Sequence, residues 1–161
     1  MHTAYLLMGG NIGNREEYLK QAVELLRRQA GNPVRLSALY ETAAWGNKNQ
    51  EPFLNQAVQL ETQLKAAELM TTILGIEEEI GRKRLYKYSP RVIDIDILLY
   101  DQEIHTSGHI TLPHPELPNR RFALEPLNEL APDLLHPVLK KSIEDLLLVC
   151  QDPLPVKKLT T

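Results

Sequence analysis

Hydrophobic and polar positions follow two different periods along this chain, and the switches between them mark its elements. The run Ala4-Tyr5-Leu6-Leu7-Met8 is continuously apolar and reads as a short buried strand, followed by a turn over Gly9-Gly10-Asn11-Ile12-Gly13-Asn14. Leu19, Val23 and Leu26 recur at helical spacing, so a helix is predicted over residues 15–28, with Asn14 as N-cap and Glu16 and Glu17 in the first turn. Gly31-Asn32-Pro33 breaks the chain. Residues 34–42 then alternate as a strand, residues 43–52 form a polar loop around Trp45, and residues 53–61 alternate again. In that second strand Phe53 and Asn55 share a face with Ala57, while Leu54, Gln56 and Val58 take the other. Leu69, Ile73, Ile76 and Ile80 predict a helix over residues 66–80. From Val92 the chain is a strand with Ile93, Ile95 and Ile97 on one face and Asp94 and Asp96 on the other. A turn at Asp101-Gln102 leads into residues 103–106, Ser107-Gly108 turns again, and residues 109–112 form a last short strand. A helix starts at Arg120-Arg121 and runs through Leu124 and Leu127 to Leu130, where Pro132 ends it. Ser142 caps a final helix to about Val149, and the tail from Pro153 is expected to fray. Helices combined with antiparallel-type hairpins predict an α+β fold in which helices pack on the sheet, as one domain over residues 1–161.

Composition narrows the function classes. The chain has 161 residues, 43% of them hydrophobic and 24% charged, which is enough apolar content for a real core. A formal net charge of −3 argues against a general nucleic-acid binder. No apolar run is long enough to span a membrane, and Met1-His2-Thr3-Ala4-Tyr5 has no signal-peptide pattern. The single Cys150 permits neither an internal disulfide nor a Cys-based zinc site, which fits a reducing cytoplasm. Lying in Leu146-Leu147-Leu148-Val149-Cys150, it reads as core.

The chemistry concentrates around the Asp94–Asp96 strand. Two carboxylates on one strand face repel each other unless a proton or cation lies between them, and hard oxygen ligands of this kind suit Mg²⁺ or Mn²⁺. The alternative is a solvated face of an edge strand. Immediately upstream, Gly81 to Arg91 holds five cations in eleven residues. A basic loop entering an acidic pair suits one ligand that is both anionic and metal-bound, such as a polyphosphate. With little apolar content to anchor it, the segment 81–90 is expected to act as a lid. Glu77, one turn before the end of its helix, opposes the helix dipole and calls for a cationic partner such as Arg82 or Arg84. Neither G-x-G-x-x-G nor G-x-x-x-x-G-K-[ST] occurs, so a nucleotide would not be held by a P-loop. Phe53 and Asn55 could stack on and read a flat heterocycle, or simply form a half-buried strand face. His114, between Pro113 and Pro115, is either a turn residue or a preorganised donor to an anion. Two other classes stay open at this point: an RNA-binding module using Tyr86 and Tyr88 as stacking platforms, and a different metal-dependent phosphohydrolase or nucleotidyltransferase.

Taken in order, Gly9-Gly10-Asn11-Ile12-Gly13, Ser37-Ala38-Leu39-Tyr40-Glu41-Thr42, Phe53-Leu54-Asn55, Glu77 with Gly81-Arg82-Lys83-Arg84, Pro90-Arg91-Val92-Ile93-Asp94-Ile95-Asp96, and Pro113-His114-Pro115 to Arg120-Arg121-Phe122 resemble the 6-hydroxymethyl-7,8-dihydropterin pyrophosphokinases of folate biosynthesis. The resemblance runs from about Ala4 to Pro137 and implies a ferredoxin-like α+β fold, with ATP and the pterin meeting over the sheet. It implies that Asp94 and Asp96 hold two Mg²⁺ on the triphosphate, and that Arg82, Arg91, Asp94 and Asp96 form the catalytic set. ATP would be contacted by Glu77, Arg82, Arg84, Arg91, Ile97, His109, Thr111, His114 and Arg120. The pterin would lie between Phe53 and Phe122, read by Asn55 and by Thr42, Ala43, Ala44, Trp45 and Gly46, covered by Tyr88, with Asp94 nearby as the candidate base. The partners implied are these two small molecules, with no nucleic acid or membrane, acting on a monomer in the cytoplasm. Departures from the family's usual pattern are Tyr88-Ser89 where Trp-Gly is common, a loop one residue shorter, and Thr42-Ala43-Ala44 in place of Thr-x-Pro.

Overall fold

The computed structural model describes residues 1–43, 51–81, 92–106 and 108–159. Among these residues six strands, β1 (His2–Gly10), β2 (Asn32–Leu36), β3 (Tyr40–Thr42), β4 (Phe53–Thr62), β5 (Asp94–Tyr100) and β6 (Val156–Lys158), form one sheet. Its order is β5-β1-β4-β3-β6, with β2 also pairing β4, and every pairing is antiparallel. Helices α1 (Arg15–Gln29) and α2 (Ala66–Ile80) cover one face, and α3 (Arg121–Leu130) and α4 (Ile143–Leu148) cover the other. No helix among the described residues is long and apolar enough to cross a membrane.

The strand alternation read from the sequence sorts side chains to these two faces. Leu6 and Met8 of β1, Leu54, Val58 and Leu60 of β4, and Ile95 and Ile97 of β5 pack with Leu19, Leu26, Leu69, Ile73 and Ile76 of α1 and α2. On the opposite face Leu7, Leu98 and Leu99 pack with Leu124, Leu127, Ile143 and Leu146, and Cys150 joins them. β5 does not alternate throughout. Its register to β1 shifts between Leu6↔Ile97 and Tyr5↔Leu99. The β-bulge turns Leu98 and Leu99 to the same side and returns Tyr100 to the first core.

The helix ends follow local chemistry. Asn14 caps α1 by accepting from the Glu17 N–H at 3.2 Å, and Ser142 caps α4 by accepting from the Asp145 N–H at 3.1 Å. The bounds of α2 coincide with those predicted.

Several segments differ from the expectations. Gly9 and Gly10 lie inside β1, and the turn begins only after them. Pro33 does not break the chain but sits in β2, where pairing to β4 is irregular because proline has no N–H to donate. Residues 34–42 are not one strand. Ser37 separates β2 from β3, its hydroxyl accepting from the Ala57 N–H at 2.9 Å, and β4 pairs with each piece in turn. The expected strand over residues 109–112 reduces to an isolated bridge between His105 and Leu112, held by two backbone bonds of 2.9 Å. The tail is not frayed: β6 pairs with β3, and the Leu159 N–H donates to the Leu39 carbonyl at 2.8 Å. An unpaired edge of β3 would leave backbone groups without partners, and the C-terminal segment supplies them. Glu129 of α3 ties this edge to the helix layer by accepting from the Tyr40 hydroxyl at 2.6 Å and the Ala38 N–H at 3.0 Å.

Beyond α3, His136 is buried and its Nδ1 accepts from the N–H groups of Val138 at 3.2 Å and Leu139 at 3.0 Å. Burial lowers its pKa from the ordinary 6.5. The native state therefore binds fewer protons than the unfolded chain below about pH 6.5, and stability falls as pH drops through that window. The difference in melting temperature between pH 7 and pH 5 is expected to be smaller in His136→Gln than in the parent chain. Equal differences would overturn this assignment.

Candidate active site

The site is built on the sheet face that carries α3. Gly9 pairs with Asp94 of β5 on one side and with Asn55 of β4 on the other, and Asn55 pairs in turn with Tyr40 of β3. Directly paired residues point to the same face, so this row presents Asp94, the bare backbone of Gly9, Asn55 and Tyr40 side by side. The next row presents Asp96, Leu7 and Ala57. Asp94 and Asp96 are both half-buried, and two residues of extended chain separate them by about 7 Å between Cα atoms. Partly exposed hard oxygens on one face fit a divalent ion such as Mg²⁺, with remaining positions open to water or phosphate. Among the described residues one grouping of three potential metal ligands also occurs at the opposite end of β1 and β5. There, however, His2 Nδ1 lies 2.7 Å from Asp101 Oδ2 and His105 Nε2 lies 2.7 Å from Glu103 Oε1, so these groups pair with one another.

Gly9 is where it is because of Asn55. A Cβ on Gly9 would stand 2.0 Å from Asn55 Oδ1 and 3.4 Å from the Leu54 carbonyl oxygen. The Asn55 amide thus lies over the gap that the missing side chain leaves. Asn55 is 4% exposed, and its Nδ2 has no hydrogen-bond partner among the described residues. A buried donor without an acceptor is costly unless a ligand satisfies it. Phe53, half-buried, lies two residues away on the same face and pairs with the buried Thr42, next to the exposed Ala43. Across the face, Phe122 in the first turn of α3 is half-buried, and the Arg120 guanidinium carbon lies 5.7 Å from its ring centroid. Arg121 is turned elsewhere: its Nε donates to the Asp152 carbonyl at 3.2 Å and its Nη2 to the Cys150 carbonyl at 3.0 Å, holding the C-terminal segment against α3.

His114 stands at the outer edge of β5, where its N–H donates to the Leu98 carbonyl at 2.9 Å. Its Nδ1 accepts from the Glu116 N–H at 3.1 Å, which leaves Nε2 to carry the hydrogen of the neutral ring. Burial lowers its pKa and the Arg120 cation adds to that, while the Asp96 carboxylate opposes them. The ring is therefore a neutral N–H donor within electrostatic reach of Asp96 and Arg120. His109 and Thr111 are exposed in the turn leading to it.

Ile97 is 2% exposed and its side chain belongs to the core under α1 and α2, on the face opposite Asp94 and Asp96. Only its main chain can meet a ligand, along the same outer edge of β5 as Ile95. Glu77 is 5% exposed, and its Oε2 accepts from the Ile95 N–H at 2.7 Å. The carboxylate fastens the start of β5 to the end of α2; the cationic partners expected for it, Arg82 and Arg84, lie outside the described residues. Glu77→Gln keeps an acceptor and is expected to retain the fold, whereas Glu77→Ala leaves a buried N–H unsatisfied and costs about 1–3 kcal/mol. Urea unfolding of both variants checks this, and equal stabilities would overturn it. Arg82, Arg84, Arg91, Ala44, Trp45, Gly46 and Tyr88 lie outside the described residues, as does the expected lid. Sequence reasoning placed Gly9 in a turn, and the signal that could have corrected it was a glycine continuing an apolar strand, which often marks a close approach.

Known proteins resemble this chain over most of its length. The family described as 7,8-dihydro-6-hydroxymethylpterin-pyrophosphokinase (HPPK) matches residues 5–132. A 2-amino-4-hydroxy-6-hydroxymethyldihydropteridine pyrophosphokinase of Aquifex aeolicus is 40% identical over 145 residues, covering 90% of this chain and 90% of the relative. A protein of the same description from Bacillus subtilis is 43% identical over 128 residues, covering 79% of this chain and 77% of its own length. Among solved structures, wild-type Plasmodium falciparum HPPK-DHPS with pterin and p-hydroxybenzoate superposes with a TM-score of 0.74 at 17% identity, covering 91% of this chain and 41% of that longer one. This last likeness speaks for the fold.

Proposed function

The chain belongs to the 7,8-dihydro-6-hydroxymethylpterin-pyrophosphokinase family, and from that premise we propose how its α3-side face divides the work. The enzyme is an ATP-dependent diphosphotransferase that moves pyrophosphate from ATP to 6-hydroxymethyl-7,8-dihydropterin in folate biosynthesis. The hydroxymethyl oxygen bonds to the β-phosphorus, the bond from that phosphorus to the α-phosphate oxygen breaks, and AMP leaves as the pterin pyrophosphate forms.

The observation that carries the residue assignment is the unsatisfied, buried Asn55 Nδ2 above Gly9, in one row with Asp94. Asn55 donates to the polar edge of the pterin, whose ring lies between Phe53 and Phe122, with Thr42 and Ala43 at its rim. Asp94 and Asp96 would hold divalent ions, two Mg²⁺ in this reading, which when bound neutralise charge on the triphosphate. His114 donates from Nε2 to a phosphate oxygen and Arg120 adds charge beside it. No side chain stands out as an obligatory base, and Asp94 is the candidate to accept the hydroxymethyl proton. The exposed His109 and Thr111 and the Ile97 main chain line the β5 edge where the nucleotide lies. Glu77 shapes that edge by holding Ile95. Arg82, Arg84, Arg91, Ala44, Trp45, Gly46 and Tyr88 are assigned on resemblance alone. Such a reaction depends on positioning and preorganised charge more than on covalent protein chemistry. In the same reading, residues 1–161 act as one catalytic unit, a monomer in the cytoplasm.

The test is direct. The purified chain with ATP, Mg²⁺ and the hydroxymethyl dihydropterin should yield AMP and the pterin pyrophosphate in equal amounts by mass spectrometry. Release of ADP, or no pterin product, would overturn the reading.

A further inference from the structure

Thr42 ends β3, Phe53 begins β4, and these two residues flank the connection and pair with each other. Both ends of the connection are held from the side of α1. Arg15, the first residue of α1, donates from Nη1 to the Pro52 carbonyl at 2.8 Å, and the same nitrogen lies 2.9 Å from Glu41 Oε2 in β3. Asn11, 3% exposed, donates from Nδ2 to the Glu51 carbonyl at 3.1 Å. Two consecutive carbonyls immediately before Phe53 are thereby gripped, and the residue immediately before Thr42 is anchored to the same guanidinium.

We propose that Arg15 and Glu41 form a positioning pair for the pterin, bracing both ends of residues 43–52 so that Phe53 and Asn55 are set for the ligand before it arrives. The proposal rests on the site assignment above. Arg15 does not touch the pterin. Glu41 pairs with Leu54, whose side chain lies in the core under α1, so the ion pair is on the opposite side of the sheet from Asn55. It acts through the Pro52 peptide, whose rotation would swing the Phe53 ring. The Arg15 and Glu41 side chains are 28% and 30% exposed, so the pair is partly shielded from water and stronger than a fully solvated one. The guanidinium reaches a carbonyl in the non-strand segment that precedes the ring.

The test compares Arg15→Met, Glu41→Gln and the charge-swapped double variant Arg15→Glu/Glu41→Arg with the parent chain. Pterin binding is measured by calorimetry with a non-hydrolysable ATP analogue and Mg²⁺ present, alongside analogue binding, KM for each substrate and melting temperature. Arg15→Met is expected to weaken pterin binding about tenfold while analogue affinity stays within about twofold, the loss of one charge-assisted hydrogen bond acting on one ligand. Glu41→Gln retains an acceptor and should show a smaller loss in the same direction, whereas the swapped pair restores the charge pair but not the bond to the Pro52 carbonyl and should lose about as much as Arg15→Met. If Arg15→Met does not fold, Glu41→Gln and the swapped pair carry the test. Unchanged pterin affinity in the variants, or equal losses for both ligands that track melting temperature, would overturn the proposal. A parent chain that binds ATP but neither binds nor converts the pterin would overturn the functional reading instead, before any variant is compared.

Discussion

Replacing Asp96 by alanine is expected to abolish Mg²⁺-dependent turnover, with a loss on the order of a thousandfold or more, because the proposed assignment gives this carboxylate the task of holding the metal. The fold should survive. Asp96 is half-buried and shares its row with Leu7 and Ala57, whose packing does not depend on a carboxylate. The melting temperature should therefore stay close to that of the parent chain. Asp96→Asn keeps the shape and removes the charge, so it separates electrostatics from packing and should be nearly as inactive. A second consequence follows from geometry. Asp96 supports a higher pKa at His114, against burial and Arg120. Without that carboxylate the imidazole should titrate lower still, which histidine NMR can follow in the free protein. Near-normal activity with a normal melting temperature would rule out Asp96 as a metal ligand.

Asn55→Ala is expected to weaken pterin binding by about 1–3 kcal/mol while leaving ATP-analogue affinity nearly unchanged. The truncation removes a buried donor that lacks a partner among the described residues, so the free protein should lose little stability and the ligand should lose a contact. Gly9→Ala attacks the same site from below. Its Cβ would lie 2.0 Å from Asn55 Oδ1 and must displace the amide, since the backbone of β4 is held by β1 on one side and β3 on the other. Both single variants should be impaired in pterin binding by calorimetry. The double variant should be little worse than Asn55→Ala, because the alanine at position 9 then displaces nothing that still binds. Fully additive losses, or equal losses for ATP and pterin, would show that Gly9 and Asn55 do not act as one site.

These results also separate what was legible in the chain from what was not. Alternation is a property of consecutive residues, so the Asp94–Asp96 face, the opposing Ile95–Ile97 face, the bounds of α2 and the Asn14 and Ser142 caps could all be read from local sequence. The basic segment, Phe53, Asn55 and His114 were visible as residue types in a telling order. That Phe53 and Asn55 share a sheet face with Asp94 and Asp96 was not visible from periodicity, because the register of β1 against β4 and β5 decides it. Tertiary structure alone decided that Gly9 sits beneath Asn55, that the bulge at Leu98 ends the alternation of β5, and that the C-terminal segment returns as β6. It also decided that Glu77 answers the Ile95 N–H, that Arg121 serves the tail while Arg120 faces Phe122, and that Arg15 joins Glu41 to Pro52. The physical reason is common to all of these. Each is a pairing between groups far apart along the chain, such as Tyr40 with Glu129, and a sequence states which donors and acceptors exist without stating which of them the packed sheet and helices bring within reach.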